Sequence, residues 1–241
     1  MANEPAGRAS TRTAVVWSGL EPLLQGSARD VLDIGGGTGG LAVRVGALGH
    51  RVTVVDPSPD ALAALDRRAR EHDVEVTGRQ GDLSSLLDVV GPACADVVLC
   101  HGVLEVAGDP TAALAALADV LRPGGVLSLL VAQRHAAVVA RAMAGHFQQA
   151  LAMLDPAASV APTGRGGRRY THDELVELVG DAGFTVDTVH AVRVFTDLVP
   201  GSLLDLEPGA SAALVDLEQA VADRPEYLPL ATQLHLLAHR T

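Results

Sequence analysis

Five glycines crowd into six positions at 35–40 (GGGTGG), directly behind the apolar run VLDI, and one carboxylate, Asp33, stands just ahead of them. A backbone this bare lets a ligand lie against the main chain and permits dihedrals that other residues resist. A P-loop needs a lysine beside its last glycine to hold phosphates, and all 18 basic residues of this chain are arginine. Gly35, Gly37 and Gly40 satisfy the G-x-G-x-x-G dinucleotide fingerprint, but a carboxylate at the loop mouth would repel a pyrophosphate. Asp33 suits a ligand that carries an ammonium group. S-adenosylmethionine (SAM) is such a ligand: an ammonium, a sulfonium and a ribose, with no phosphate.

Two further carboxylates fit the same cofactor. Asp56, followed by Pro57, ends the second expected strand, where it can accept both ribose hydroxyls. Asp82, followed by Leu83, sits after the third, where it can accept from the adenine amino group. Open α/β sheets bind ligands at the carboxyl ends of their strands. Asp33, Gly35, Gly36, Gly37, Asp56, Pro57, Asp82 and Leu83 are therefore the expected cofactor residues, with no metal required.

The elements that must position these residues follow from periodicity. Strand-length apolar runs at 30–34, 51–55, 74–78, 95–100 and 125–131 alternate with helical patterns at 39–48, 58–72 and 110–121. That rhythm implies a parallel sheet covered by helices on both faces. Ser58 with Pro59 reads as a helix start, and RPGG at 122–125 as the turn between a helix and the next strand. Beyond residue 133 the rhythm changes. A helical stretch at 134–153 precedes a loop at 155–169 (DPAASVAPTGRGGRR), expected to be mobile. Then come a helix at 171–182, a strand pattern ending in VRVF, a helix at 209–222 and a closing strand LHLLAH. The expectation is one domain over 11–241 after a flexible N-terminus at 1–10, with 134–169 forming a helix-loop lid.

At 241 residues and 48% apolar content the chain can bury one large core. Its net charge of −11 disfavours broad contact with a phosphate backbone, and aromatics at 2% leave few platforms for stacking bases. The sequence shows no signal-peptide pattern and no apolar run of membrane-spanning length, so the expected location is the cytoplasm. Cys94 and Cys100 read as core or strand-end residues.

The chain resembles the class I SAM-dependent methyltransferases, and in particular the bacterial tRNA 5-carboxymethoxyuridine methyltransferase family. TRTAVVW (11–17), HGVLEVAGDP (101–110), VLRPGGVLSLL (120–130), AGHF (144–147), AVRVFTDL (191–198) and YLPLATQLHL (227–236) carry the resemblance over most of the chain. It implies a Rossmann-like fold with a mostly parallel seven-stranded sheet and a C-terminal lid-like insertion, and S-adenosylhomocysteine as the product. It also implies that Arg12 serves the cofactor site, where a guanidinium can reach the methionine carboxylate. His101 would lie beside the cofactor at the methyl-transfer face, and Arg193 on the substrate side.

A carboxylate acceptor is ionised at neutral pH and can attack the sulfonium methyl without losing a proton. Arg193 would then hold the acceptor, assisted by Arg134 and His135. The chain departs from the family at Val106, Ala132 and Thr232, where the family has tryptophan, an aromatic and arginine. Its basic stretch is reduced to Arg165, Arg168 and Arg169. The expectation is methyl transfer to a carboxylate or other oxygen of a small acceptor or modified nucleoside. Alternatives are methylation of the tRNA wobble uridine, or SAM binding without catalysis.

Overall fold

The computed structural model describes residues 6–155, 167–204 and 208–241. Most of the 155–169 loop, including Arg165, lies outside the described residues, as does the N-terminal stretch 1–5. Contacts divide the chain into two compact units. The first comprises 1–23, 131–175 and 188–235; the second comprises 24–130, 176–187 and 236–241.

The second unit is built from β1 (Asp30–Ile34), α2 (Gly40–Gly46), β2 (Arg51–Asp56), α3 (Pro59–Glu71), β3 (Val76–Gln80), α4 (Leu86–Val90), β4 (Ala95–His101), α5 (Pro110–Val120) and most of β5 (Leu121–Ala132). The N-terminal helix α1 (Ala6–Leu20) belongs to the first unit. β2 and β4 flank β1 in parallel register, with Asp33 opposite Val54 on one side and Leu99 on the other. β3 joins β2 and β5 joins β4, also in parallel. Val54, Val97, Val98 and Leu99 are completely buried, as expected of central strands covered on both faces.

Local signals explain the helix starts. Ser58 Oγ accepts from the Ala61 N–H at 3.2 Å, with Pro59 in the first turn of α3. Asp109 caps α5 by accepting from the Thr111 and Ala112 N–H groups.

The first unit contains α1, α6 (Arg134–Met143), α7 (Phe147–Ala152) and α10 (Ala210–Ala222). The remaining elements are α8 (His172–Asp181), β6 (Phe184–Val192), the short α9 (Gly201–Leu204) and β7 (Gln233–Arg240). The full sheet has seven strands in the order β3-β2-β1-β4-β5-β7-β6.

Several boundaries differ from the sequence reading. α1 begins at Ala6, inside the segment expected to be a flexible N-terminus. β5 begins at Leu121, because a register shift between Ala95 and Val97 absorbs the Pro-Gly-Gly stretch instead of ending the pairing. Arg122, on that irregular stretch, ion-pairs with Asp30 at 2.9 Å and Asp96 at 2.6 Å. The stretch 134–153 is two helices, broken where Gly145 adopts φ +76°. Among the described residues no helix is long and apolar enough to cross a membrane.

Candidate active site

The glycine loop leaves the end of β1 in a conformation that side chains would obstruct. Gly35 has φ +68° and its N–H donates to Val55 O at 2.7 Å. A Cβ on Gly35 would stand 2.5 Å from Val103 Cγ2, and one on Gly36 would stand 2.5 Å from Asp33 Oδ2. Gly37, at φ +55°, donates its N–H to Asp56 Oδ2 at 3.0 Å. Asp56 Oδ1 accepts from the Ser58 N–H at 2.8 Å. One carboxylate thus ties the loop to the start of α3, which makes Asp56 both an anchor of the loop and a neighbour of anything it holds.

Asp33 is buried. Burial, with the charge of Asp56 adding to it, pushes its carboxyl up to about 7. A buried carboxylate poised in this way is stabilised in its ionised form by an arriving cation. An ammonium group has that chemistry; a phosphate does not.

A cavity of about 600 Å³ adjoins the loop, lined among others by Gly35, Pro57, Asp82, Leu83, Val103 and Val106. This is the size range of small-molecule and cofactor sites. Asp82 is exposed and orders its own turn. Its Oδ1 accepts from the Ser84 and Ser85 N–H groups at 2.9 and 3.1 Å and from the Ser84 hydroxyl at 2.6 Å. The Ser84 hydroxyl above all, with the two N–H groups, holds the Asp82 carboxyl below its ordinary value against a slight desolvation. His101 ends β4 half-buried, with Nε2 at 2.8 Å from Oγ of the wholly buried Ser128 on β5.

The other expected residues lie in the first unit. Arg12 is half-buried on α1. Arg134 is buried at the start of α6 and makes a bidentate pair with Glu174, Nη1 to Oε1 at 2.8 Å and Nη2 to Oε2 at 2.7 Å. Its Nη2 also donates to Arg169 O at 3.2 Å. The neighbouring His135 is exposed.

Arg193 follows β6 directly and adopts φ +61°, a left-handed conformation uncommon for a side chain of its size. Its Nη2 donates to Asp197 Oδ1 at 2.7 Å. Its carbonyl accepts from the Thr232 N–H at 3.2 Å. The Thr232 hydroxyl lies between Arg193 O at 3.1 Å and Asp197 Oδ2 at 2.8 Å.

Sequence reasoning did not single out Glu218, which is completely buried on α10. Its Oε2 accepts from the Val194 N–H at 2.8 Å. Its Oε1 accepts from the Phe195 and Thr196 N–H groups at 2.9 and 2.7 Å and from the Thr196 hydroxyl at 2.6 Å. A signal was available, since Glu218 falls with Leu214, Val221 and Ala222 on one helical stripe where every other member is apolar. Asp197 was missed as well. Four residues after Arg193, with no regular helix expected there, its spacing carried no message.

Comparison with known proteins places these features in context. A family model described as a methyltransferase domain matches residues 32–127, the segment that holds the glycine loop, Asp33, Asp56, Asp82 and His101. The chain is 27% identical to the tRNA 5-carboxymethoxyuridine methyltransferase of Escherichia coli K12, over 95% of this chain and 88% of that one. Among solved structures, a SAM-dependent methyltransferase from Methanosarcina mazei is similar with a TM-score of 0.62 at 18% identity, covering 92% of this chain and 96% of that chain. The magnesium protoporphyrin IX methyltransferase of Synechocystis PCC 6803, with S-adenosylhomocysteine bound, is similar with a TM-score of 0.61 at 18% identity, covering 97% and 83%.

Proposed function

The chain belongs to the class I SAM-dependent methyltransferases, and we propose that it transfers the methyl group to a carboxylate oxygen of a small acceptor or modified nucleoside. The observation that carries this reading is Arg193. The chain places its guanidinium beside a carboxylate, Asp197, at 2.7 Å, on a turn pinned from both sides. An arginine held in this manner suits recognition of a carboxylate.

Bound SAM supplies an electrophilic methyl group on its sulfonium. Asp33 takes the methionine ammonium, Asp56 the ribose hydroxyls, and Asp82 with Leu83 and Pro57 the adenosine end. Arg12 is assigned to the methionine carboxylate. His101, fixed by Ser128, keeps the transfer face ordered, while Arg193 steers the acceptor anion. The acceptor is already ionised at neutral pH, so alignment and exclusion of water account for the catalysis this reading requires. Arg134 meets Glu174 with both of its Nη atoms in a bidentate pair, whereas Arg193 meets Asp197 through Nη2. Arg134 is assigned the role of shaping the start of α6; His135 is the more accessible acceptor-side candidate.

A second reading makes the acceptor the carboxymethoxy group of a tRNA wobble uridine. The similarity to the Escherichia coli enzyme over 95% of this chain favours it. The net charge of −11 weighs against an extended RNA footprint.

Incubation with methyl-labelled SAM, followed by separation of tRNA and small-molecule fractions of a cell extract, tests both. Methyl esters release their label in mild base. Base-labile label in small molecules supports the first reading, and in tRNA the second. Label that resists base would move the acceptor away from carboxylates. Arg193→Met is expected to lower turnover at least tenfold with SAM affinity within twofold; equal loss in both would remove Arg193 from the acceptor side.

A further inference from the structure

We propose that Glu218 is a positioning residue for Arg193: its buried carboxylate fills the main-chain cradle formed by residues 194–196 and thereby sets the direction in which the guanidinium is presented. This inference rests on the reading of Arg193 as the acceptor-side arginine.

Three successive N–H groups aimed at one point form a nest that attracts an anion. Here the anion is internal, since both oxygens of Glu218 are consumed by Val194, Phe195 and Thr196. The cradle begins at the residue immediately after Arg193. The carbonyl of Arg193 is held from the other side by Thr232, so the peptide group that follows its Cα is fixed at both its C=O and its N–H. Arg193 itself sits at a left-handed φ of +61°, and unusual backbone conformations persist where the surroundings over-determine them. Asp197 completes the arrangement by orienting the tip of the side chain.

The choice of residue follows from the turn, because an apolar residue at 218 would take the acceptor from the Val194, Phe195 and Thr196 N–H groups. Leu214, Val221 and Ala222, on the same stripe of α10, are buried apolar residues. An apolar residue at 218 would avoid burying a carboxylate. Glutamate there gains its value from the turn it organises. The network continues through the Thr196 hydroxyl, at 3.1 Å from Oγ1 of the buried Thr11. Thr11 precedes Arg12 on α1, so the same carboxylate braces the helix that carries the second functional arginine.

The test is a double-mutant cycle on Glu218→Gln and Arg193→Met. It uses SAM with either free 5-carboxymethoxyuridine or tRNA that carries this nucleoside, and SAM affinity is measured in parallel. Glutamine keeps the shape but presents an amide N–H₂ toward backbone donors. Glu218→Gln should lower kcat at least tenfold with SAM affinity within twofold. The double variant should be no slower than Arg193→Met within twofold, because a residue acting through Arg193 has nothing left to act on. Additive losses would overturn the proposal while leaving the role of Arg193 standing. A silent Arg193→Met would instead sink the acceptor reading.

Two measurements cover the remaining outcomes. If Glu218→Gln does not fold, Thr196→Val, which removes one donor to Oε1, replaces it in the cycle under the same criteria. If neither nucleoside is methylated, the side-chain ¹⁵N resonance of Arg193, assigned by its loss in Arg193→Met, decides. It should move toward the position of solvent-exposed arginines in the Glu218 or Thr196 variant. An unchanged resonance overturns the proposal.

Discussion

Asp33 and Gly36 are matched to each other: a Cβ added to Gly36 would stand 2.5 Å from Asp33 Oδ2 and 3.0 Å from Val54 Cγ1. The carboxylate and the bare backbone are therefore one device. The absence of a side chain at Gly36 is what allows Asp33 to turn toward the loop that follows it. Gly36→Ala should weaken SAM binding at least tenfold, and forced overpacking of this kind costs about 1–3 kcal/mol of stability. Calorimetric titration and urea unfolding read the two effects separately. Unchanged affinity would show that the cofactor does not depend on the orientation of Asp33.

The burial of Asp33 gives SAM binding a pH dependence of definite sign. Its carboxyl is pushed up to about 7, so near neutrality the free protein holds a proton there in a substantial fraction of molecules. An ammonium selects the ionised form. Affinity should rise as pH increases from 6 to 8, with a proton released on binding, visible as a dependence of binding enthalpy on the buffer's ionisation enthalpy. Stability of the ligand-free protein runs the other way. A carboxyl raised above its unfolded value of 3.8 contributes most below that value, and the contribution is lost as pH rises through 7. Asp33→Asn should abolish both trends, and a buffer-independent enthalpy for the unsubstituted protein would refute the assignment.

The glycine loop and the carboxylates around it were legible because their determinants are local. Asp33 and the glycines are contiguous, and Asp56 falls where β2 must end. The caps at Ser58 and Asp109 announce their helices in the same way. The turn that holds Arg193 was not legible from spacing. Arg193 entered through resemblance alone, and what holds it comes from far along the chain, from Glu218 and Thr232. Arg134 illustrates the same limit. A basic residue opening a helix looks solvent-facing in one dimension, yet its partner Glu174 lies 40 positions away. The Pro-Gly-Gly stretch misled for a different reason. Local turn chemistry argued for a break, and pairing with β4 overrode it through a register shift.

The pairing of Arg134 with Glu174 makes a contrasting prediction about stability. The arginine side chain is 9% exposed and the glutamate 39%, so removing one partner costs less than in a fully buried pair, where about 3–5 kcal/mol is typical, because solvent screens the exposed end. Glu174→Ala should cost about 1–3 kcal/mol, since it leaves a buried guanidinium without its carboxylate. Arg134→Met should cost less, because Glu174 keeps its hydrogen bond from the Thr171 N–H at 2.9 Å. Partial burial works against the charge on Glu174, but the Thr171 N–H and Arg134 outweigh it and hold the carboxyl below its ordinary 4.5. Its contribution is therefore complete above pH 4.5 and lost as pH falls through the lowered value. Urea unfolding at pH 7 and again near pH 3 should show the gap between the Glu174→Ala variant and the unsubstituted protein narrowing in acid; a gap of the same size at both would mean that packing, not charge, holds α6 to this residue.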